Sequence, residues 1–186
     1  MLILILFSKK IIDIYIMIII LRIWINLLNN NLHDNLSKFI IKVTEPLINL
    51  INKLSISKNT NYINIYLILI SLVITTIKNS IIMFVSTGYF YINPINLIVN
   101  IASLLKLIGN LIFYLIITRS FISFIKQEYS NINYLLVKLT DPLILPIKKI
   151  IPDVGNLDFA PTILIIFLYL LNFLGNIIFF KIWNFI

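Results

Sequence analysis

Four long apolar stretches constrain this chain more than any other feature. The hydrocarbon core of a bilayer is ~30 Å thick, and a helix needs ~20 apolar residues to cross it. The first stretch runs from about Leu2 to Leu28 and is interrupted by Ser8-Lys9-Lys10 and by Asp13. The second, Tyr62–Val85, holds a single charge, Lys78. The third, about Ile95–Ile117, carries Lys106 in its interior. The fourth runs from about Phe159 to Ile186, with Lys181 near its end. It opens with Asp158, suited to an N-cap, and Pro161, expected in the first turn. Spans are therefore expected over about 5–28, 62–85, 95–117 and 159–183. All should be helices, because an open strand cannot satisfy its backbone in lipid. That constraint outweighs the strand preference of so many Ile residues. A cleaved signal peptide is the competing reading of the first stretch. It fits poorly, since the lysines follow the apolar heptamer and no small-residue cleavage site comes after.

Composition supports a lipid environment. Hydrophobic residues make up 60% of the chain and charged residues 12%, against about 25% charged in soluble domains. One water-facing core of this size could not hide so much apolar surface. The formal charge of +8, from 15 Lys+Arg against 7 Asp+Glu, would suggest nucleic acid in a soluble protein. In a membrane chain it points to basic loops facing anionic headgroups, and no direct nucleic-acid binding is expected. There are no cysteines, which excludes disulfides, thiolate catalysis and Cys-ligated metals.

The loops set the expected orientation. Lys38, Lys42, Lys53 and Lys58 lie between spans one and two, and Arg119, Lys126, Lys138, Lys148 and Lys149 between spans three and four. The loop from Ser86 to Pro94 has no Lys or Arg and carries the aromatic run Tyr89-Phe90-Tyr91. Both basic connections should be cytoplasmic, with the termini and middle loop outside. Lys9 and Lys10 argue mildly the other way.

The two halves resemble each other. Val43-Thr44-Glu45-Pro46-Leu47-Ile48 matches Leu139-Thr140-Asp141-Pro142-Leu143-Ile144 at an offset of 96. Leu21-Arg22-Ile23-Trp24 matches Thr118-Arg119-Ser120-Phe121 with one residue of slip. The expected fold is all-α, with four transmembrane helices in two parallel two-span repeats, 1–90 and 91–186. Each repeat holds an amphipathic connector. Leu36, Phe39, Ile40, Val43, Leu47, Leu50 and Leu54 share one helical face, and Ile132, Leu135, Leu136, Leu139, Leu143, Ile147 and Ile150 do the same in the second. Such helices are expected to lie in the membrane interface, with a shallow re-entrant hairpin covered by protein as the alternative. The Thr-acid-Pro triplets predict two short helices per connector, bent at Pro46 and Pro142, with the acid capping the second.

Together these residues resemble the YggT (YlmG-like) family of membrane proteins. The resemblance rests on Leu21-Arg22-Ile23-Trp24, the two Thr-acid-Pro-Leu turns, Pro146-Ile147-Lys148-Lys149-Ile150-Ile151-Pro152 and Gly155-Asn156-Leu157-Asp158-Phe159-Ala160-Pro161. It covers essentially the whole chain. Asn156 stands where the family has its second glycine, and Ala160 where it has a serine before the last proline. In the first repeat, Ile56–Tyr62 has lost the Pro, Gly and Asp of this motif. The resemblance implies a bacterial inner-membrane protein without known catalytic activity. It also implies links to osmotic stress tolerance, cell division or membrane-protein and cofactor assembly.

The candidate contacts for lipid or a membrane-protein partner are Arg22, Arg119, Glu45, Pro46, Asp141, Pro142, Lys148, Lys149, Gly155, Asp158 and Pro161. The two arginines are placed to snorkel to the interface, or to organise the connectors through Glu45 and Asp141 or lipid phosphate. Lys106 is the costliest single residue, since a mid-membrane Lys is disfavoured by ~3 kcal/mol on insertion scales. Asp13, or an Asn of a neighbouring span, is its expected partner. His33 is the only histidine and reads as a solvated loop residue. There is no Gly-rich phosphate loop, no HExxH and no G-x-S-x-G. Neither a catalytic site, a metal nor a cofactor is expected. The function expected is an accessory or scaffold role, alone or as a homo-oligomer, with a small ion or osmolyte transporter as the alternative.

Overall fold

In the computed structural model the described residues are 2–28, 35–54, 60–88, 95–124, 131–151, 159–179 and 183. Six helices account for nearly all of them, and there is no strand among them. They are α1 (Leu2–Leu27), α2 (Asn35–Leu54), α3 (Thr60–Thr87), α4 (Ile95–Phe124), α5 (Asn131–Ile150) and α6 (Ala160–Phe179). At 1.5 Å per residue, α1, α3 and α4 are about 40 Å long and α6 about 30 Å. Among the described residues three helices are long and apolar enough to cross a membrane: Ile63–Val85 in α3, Leu97–Ile122 in α4, and α6 over Ala160–Phe179. The expectation of four spans is therefore met in three helices. Although α1 is long enough, it carries Lys9, Lys10, Asp13 and Arg22 and is not among them.

The outward faces are apolar. Ile166, Phe167, Leu170, Leu171, Phe173 and Leu174 of α6 are exposed, as are Ile65, Leu69, Val73 and Ile77 of α3. Faces of this extent are stable against lipid and not against water.

The chain forms two compact units. One comprises Met1–Asn31, Ser37–Ile108 and Ile186, the other Leu32–Leu36 and Gly109–Phe185, so the division falls inside α4. In the first unit α1 packs along α3, with a core of Ile19, Ile23 and Leu67 flanked by Leu47 of α2 and Ile63. The two helices are antiparallel. Asn26 touches Asn64; thirteen residues earlier on α1 Asp13 touches Lys78, fourteen residues later on α3. In the second unit α5 packs on α6, around Ile116, Ile144, Ala160 and Leu164, flanked by Leu143 and Ile147. Gly88 ends α3 with φ 76°, its N–H donating to the Phe84 carbonyl at 2.8 Å. Only glycine takes this left-handed cap without strain.

The connectors correct the sequence reading. Both α2 and α5 run unbroken through their prolines, Pro46 in one and Pro142 and Pro146 in the other. An interior proline costs about 3 kcal/mol, because it leaves the carbonyl four residues back unbonded and crowds it. Two features offset this cost. The prolines lie on the exposed side, so the freed carbonyls of Lys42, Lys138 and Pro142 face outward, where water or headgroups can reach them. The threonines lie on the buried side. Thr44 donates to the Ile40 carbonyl at 2.7 Å and Thr140 to that of Leu136 at 2.7 Å. Ser37, Ile40 and Thr44 on α2, and Leu136, Leu139, Thr140 and Ile144 on α5, are buried. Packing of that face carries each helix through its proline. Of the apolar positions expected inward, Leu36, Phe39, Leu50, Ile132 and Ile150 are exposed, and the threonine takes the centre of the inner face.

Candidate functional site

The second unit has a polar contact at the junction of α4 and α5. Arg119 lies near the end of α4, beyond the apolar run of Ile112 and Ile116. Its Nη1 donates to Asp141 Oδ1 at 2.7 Å and to Thr140 Oγ1. Thr140 in turn donates to Leu136, so one guanidinium nitrogen is tied into the α5 backbone through the hydroxyl. The Arg119 side chain is 19% exposed and that of Asp141 36%. A charge-assisted contact so placed is partly shielded from solvent and stronger than a surface pair. Asp141 is therefore a partner for Arg119. There is no helix start for it to cap.

Arg22, the matching arginine of the first unit, does not make this contact. Its Nε is buried without a hydrogen-bond partner among the described residues. Thr44 is bonded to its own helix, and Glu45 is exposed with no ion pair among the described residues. The next turn of α1 is instead tied to α3, where Asn26 Nδ2 donates to Asn64 Oδ1 at 2.9 Å.

The first unit has its own polar site, and it lies within the span of α3. Lys78 Nζ donates to Asp13 Oδ1 at 2.7 Å and to Ser103 Oγ at 3.4 Å. The side chains of Lys78 and Asp13 are 1% and 8% exposed, and Ser103 is fully buried. One residue on, Asn79 Nδ2 donates to Asn100 Oδ1 at 2.8 Å. These contacts join α1, α3 and the first half of α4. Asp13 acts electrostatically on Lys106 and has a hydrogen-bond partner on α3. Asp13 pairs with Lys78, because α1 runs antiparallel along α3 and brings the two to one depth. Lys106 sits one turn further along α4 from Ser103, within range of the Asp13 and Lys78 charges.

Lys78, Ser103, Asn79 and Asn100 were missed as site residues. A signal was available for Lys78 alone: an acid in one apolar stretch and a base in the next, each at a similar distance from the connector between them.

Elsewhere, Pro46, Pro142 and Lys149 are exposed on the connectors, Lys148 is half-buried on α5, and Pro161 is in the first turn of α6. Phe159 accepts the first bond of that helix, from Ile163 N at 3.0 Å. Gly155 and Asp158 lie outside the described residues, as do His33, Lys181 and the Tyr89–Tyr91 run. Among the described residues no three His, Cys, Asp or Glu side chains gather as a metal site requires.

Comparison with known proteins decides the family. The CCB3/YggT family model matches residues 1–85 and 98–178. The chain belongs to the CCB3/YggT family. It is 32% identical over 164 residues to the "Uncharacterized protein YggT" of Escherichia coli K12, covering 88% of this chain and 84% of that one. It is 33% identical over 172 residues to the "Uncharacterized protein in proC 3'region" of Vibrio alginolyticus, covering 92% of each. A protein of Haemophilus influenzae is 27% identical over 175 residues. No solved structure matches the chain. In this YggT-family chain the Thr-acid-Pro triplet is an interior feature of a continuous helix, facing inward with its threonine and outward with its proline.

Proposed function

We propose that this YggT-family protein is a non-enzymatic accessory or scaffold protein of the bacterial inner membrane. Its basic connector helices would dock on anionic headgroups at the cytoplasmic face and present a surface to a membrane-protein partner. The observation that carries this reading is the Arg119–Asp141–Thr140 contact, which fixes α5 against the end of α4. A scaffold must hold its docking helix in one orientation, and this contact does so beside Lys138, Lys148 and Lys149. Basic side chains near a membrane surface are each worth about 1 kcal/mol of attraction to anionic lipid.

The same reading takes the chain as two parallel copies of one two-span unit, with α1 as the fourth span. Ile19 and Ile116, Leu47 and Leu143, and Leu67 and Leu164 hold matching core places at offsets of 96 or 97. The Asp13–Lys78 contact supports α1 as a span, because it neutralises one of the charges that set α1 apart. Links to osmotic stress or cell division would follow from the identity of the partner.

The test is photo-crosslinking from position 149 in native membranes. A discrete cross-linked protein is expected, and Arg119→Ala should abolish it while leaving the chain folded. A cross-linking pattern no different from that of a probe in α6 would sink the proposal. A small ion or osmolyte transporter is the second reading, favoured by the charged cluster within the spans. Proteoliposome flux that is lost on Lys106→Leu would support it over the scaffold.

A further inference from the structure

The two connector helices share a layout, and they part company on their outward faces. On α5, Tyr134, Lys138, Pro142, Leu145 and Lys149 recur at steps of three and four residues and so share one face. At an offset of 96 the matching residues of α2 are Lys38, Lys42, Pro46, Asn49 and Lys53. The central lysine, the proline and the last lysine are common to both. The first place changes from Lys38 to Tyr134, and the fourth from Asn49 to Leu145. Tyr134 is 60% exposed and Leu145 53%. The residues that seat α5 in its unit, Leu136, Leu139, Thr140 and Ile144, are buried, so this apolar pair takes no part in seating it.

Neither part of a lipid bilayer suits this face. A helix made only to hold anionic headgroups is weakened when a lysine gives way to tyrosine, since each basic side chain adds to that attraction. Hydrocarbon is excluded by the backbone. Pro142 and Pro146 have no N–H, which frees the carbonyls of Lys138 and Pro142 on this same face. An unbonded carbonyl is costly among lipid tails. On α2 the proline frees one carbonyl, that of Lys42.

The charge on the face selects its partner. Lys138 Nζ lies 5.3 Å from the centre of the Tyr134 ring and donates to its hydroxyl at 3.4 Å. This contact orients the ring and leaves the ammonium charge in place. Asp141, the acid of this helix, is held by Arg119. The face therefore presents two positive charges set among two apolar side chains, with its neighbouring acid already neutralised. A second copy of the chain would bring like charge, because the outward faces of its own connectors are basic as well. Tyr134 and Leu145 are eleven residues apart, about 16 Å along the helix, which is the length of three turns.

We propose that the outward face of α5 docks an acidic, amphipathic segment of a partner protein, about three turns long. Tyr134 and Leu145 enter between its apolar side chains, and Lys138 and Lys149 meet its carboxylates. The proposal deepens the scaffold reading and rests on it: that reading supplies a partner, and this face states the partner's chemistry. On α2, which lacks the apolar pair, the lysines are left to headgroups.

The test uses the full chain in native membranes, with the photo-crosslinker at position 149. Tyr134→Lys plus Leu145→Asn gives α5 the outward face of α2 and should lower the yield of the cross-linked protein at least tenfold. Lys138→Glu should lower it as far. Tandem mass spectrometry of the cross-linked peptide should find several carboxylates beside apolar residues. Both substituted apolar positions are exposed, so the double variant should keep the wild-type unfolding temperature. If it does not, Leu145→Asn is read alone, with a two- to fivefold loss expected. A cross-linked protein retained at full yield in these variants overturns the proposal and leaves the scaffold reading standing. A cross-linked peptide without acidic residues does the same. Cross-links to phospholipid alone, or to a second copy of the chain, also overturn it by naming another occupant.

Discussion

In the first unit the helices meet through polar side chains spread along their length. Asn26 meets Asn64, Lys78 meets Asp13 and Ser103, and Asn79 meets Asn100. In the second unit the polar contact sits at the connector, where Arg119 holds Thr140 and Asp141. The span of α6 is closed by aromatic packing instead. Trp183 covers Gly175, stacks on Phe179 with ring centroids 5.5 Å apart, and donates to Asn172 at 2.8 Å. Each half has an arginine and a Thr-acid-Pro triplet at matching positions, yet only one arginine engages its triplet. Matching residue types therefore do not determine matching contacts. What differs is the neighbouring helix: α3 offers Asn64, Lys78 and Asn79 to α1 and α4, and α6 offers none of these.

If buried charge holds the first unit, removing one partner should have the largest effect. Lys78→Leu leaves Asp13 buried without its counter-ion and should cost about 3–5 kcal/mol. Thermal unfolding in micelles measures it, and adding Asp13→Leu should recover most of the loss. A double variant no better than the single would show that the pair does not act as a unit. Gly175→Ala tests the aromatic closure of α6. A Cβ there runs into the Trp183 ring, so overpacking should cost about 1–3 kcal/mol and shift tryptophan emission to the red. Gly109→Ala meets open space and should be neutral or stabilising, since alanine is the better helix former by about 1 kcal/mol.

The arginines make the comparison directly. Arg119→Ala should destabilise by about 1–2 kcal/mol, the lower part of the range for a charged hydrogen bond because the pair is partly exposed. Arg22→Ala should stay within about 0.5 kcal/mol, because it breaks no ion pair among the described residues. Equal effects would erase the difference between the halves. The smallest measurable change belongs to Asn26→Leu, at about 0.6 kcal/mol, the average worth of an interhelical hydrogen bond in a membrane protein.

Much of this fold is legible in the residues. Apolar runs of membrane length mark α3, α6 and the start of α4 within a few residues, because length and apolarity are local properties that lipid enforces. Helix α4 runs on to Phe124, past the expected end at Ile117. The connectors are legible as amphipathic helices for the same reason. Their continuity is not, since proline argues for a break wherever only local preference is weighed. Thr44 and Thr140 read as part of that break and turned out to lie on the buried face. The site was partly legible too. Asp13, Lys106, Arg119 and Asp141 stand out as charged groups in or beside apolar runs, whereas Ser103 and Asn100 are lost among many polar residues of similar type.

Sequence alone determined that this chain is helical, basic at its connectors and suited to lipid, because each of these depends on residue type and spacing along the chain. Which charges meet was decided by tertiary structure. Asp13 met Lys78 of α3, and Arg119 found its acid where Arg22, among the described residues, did not. The physical reason is that an ion pair needs its atoms within about 4 Å. That distance is set by how α1 lies along α3 for one pair and by how α5 lies against the end of α4 for the other.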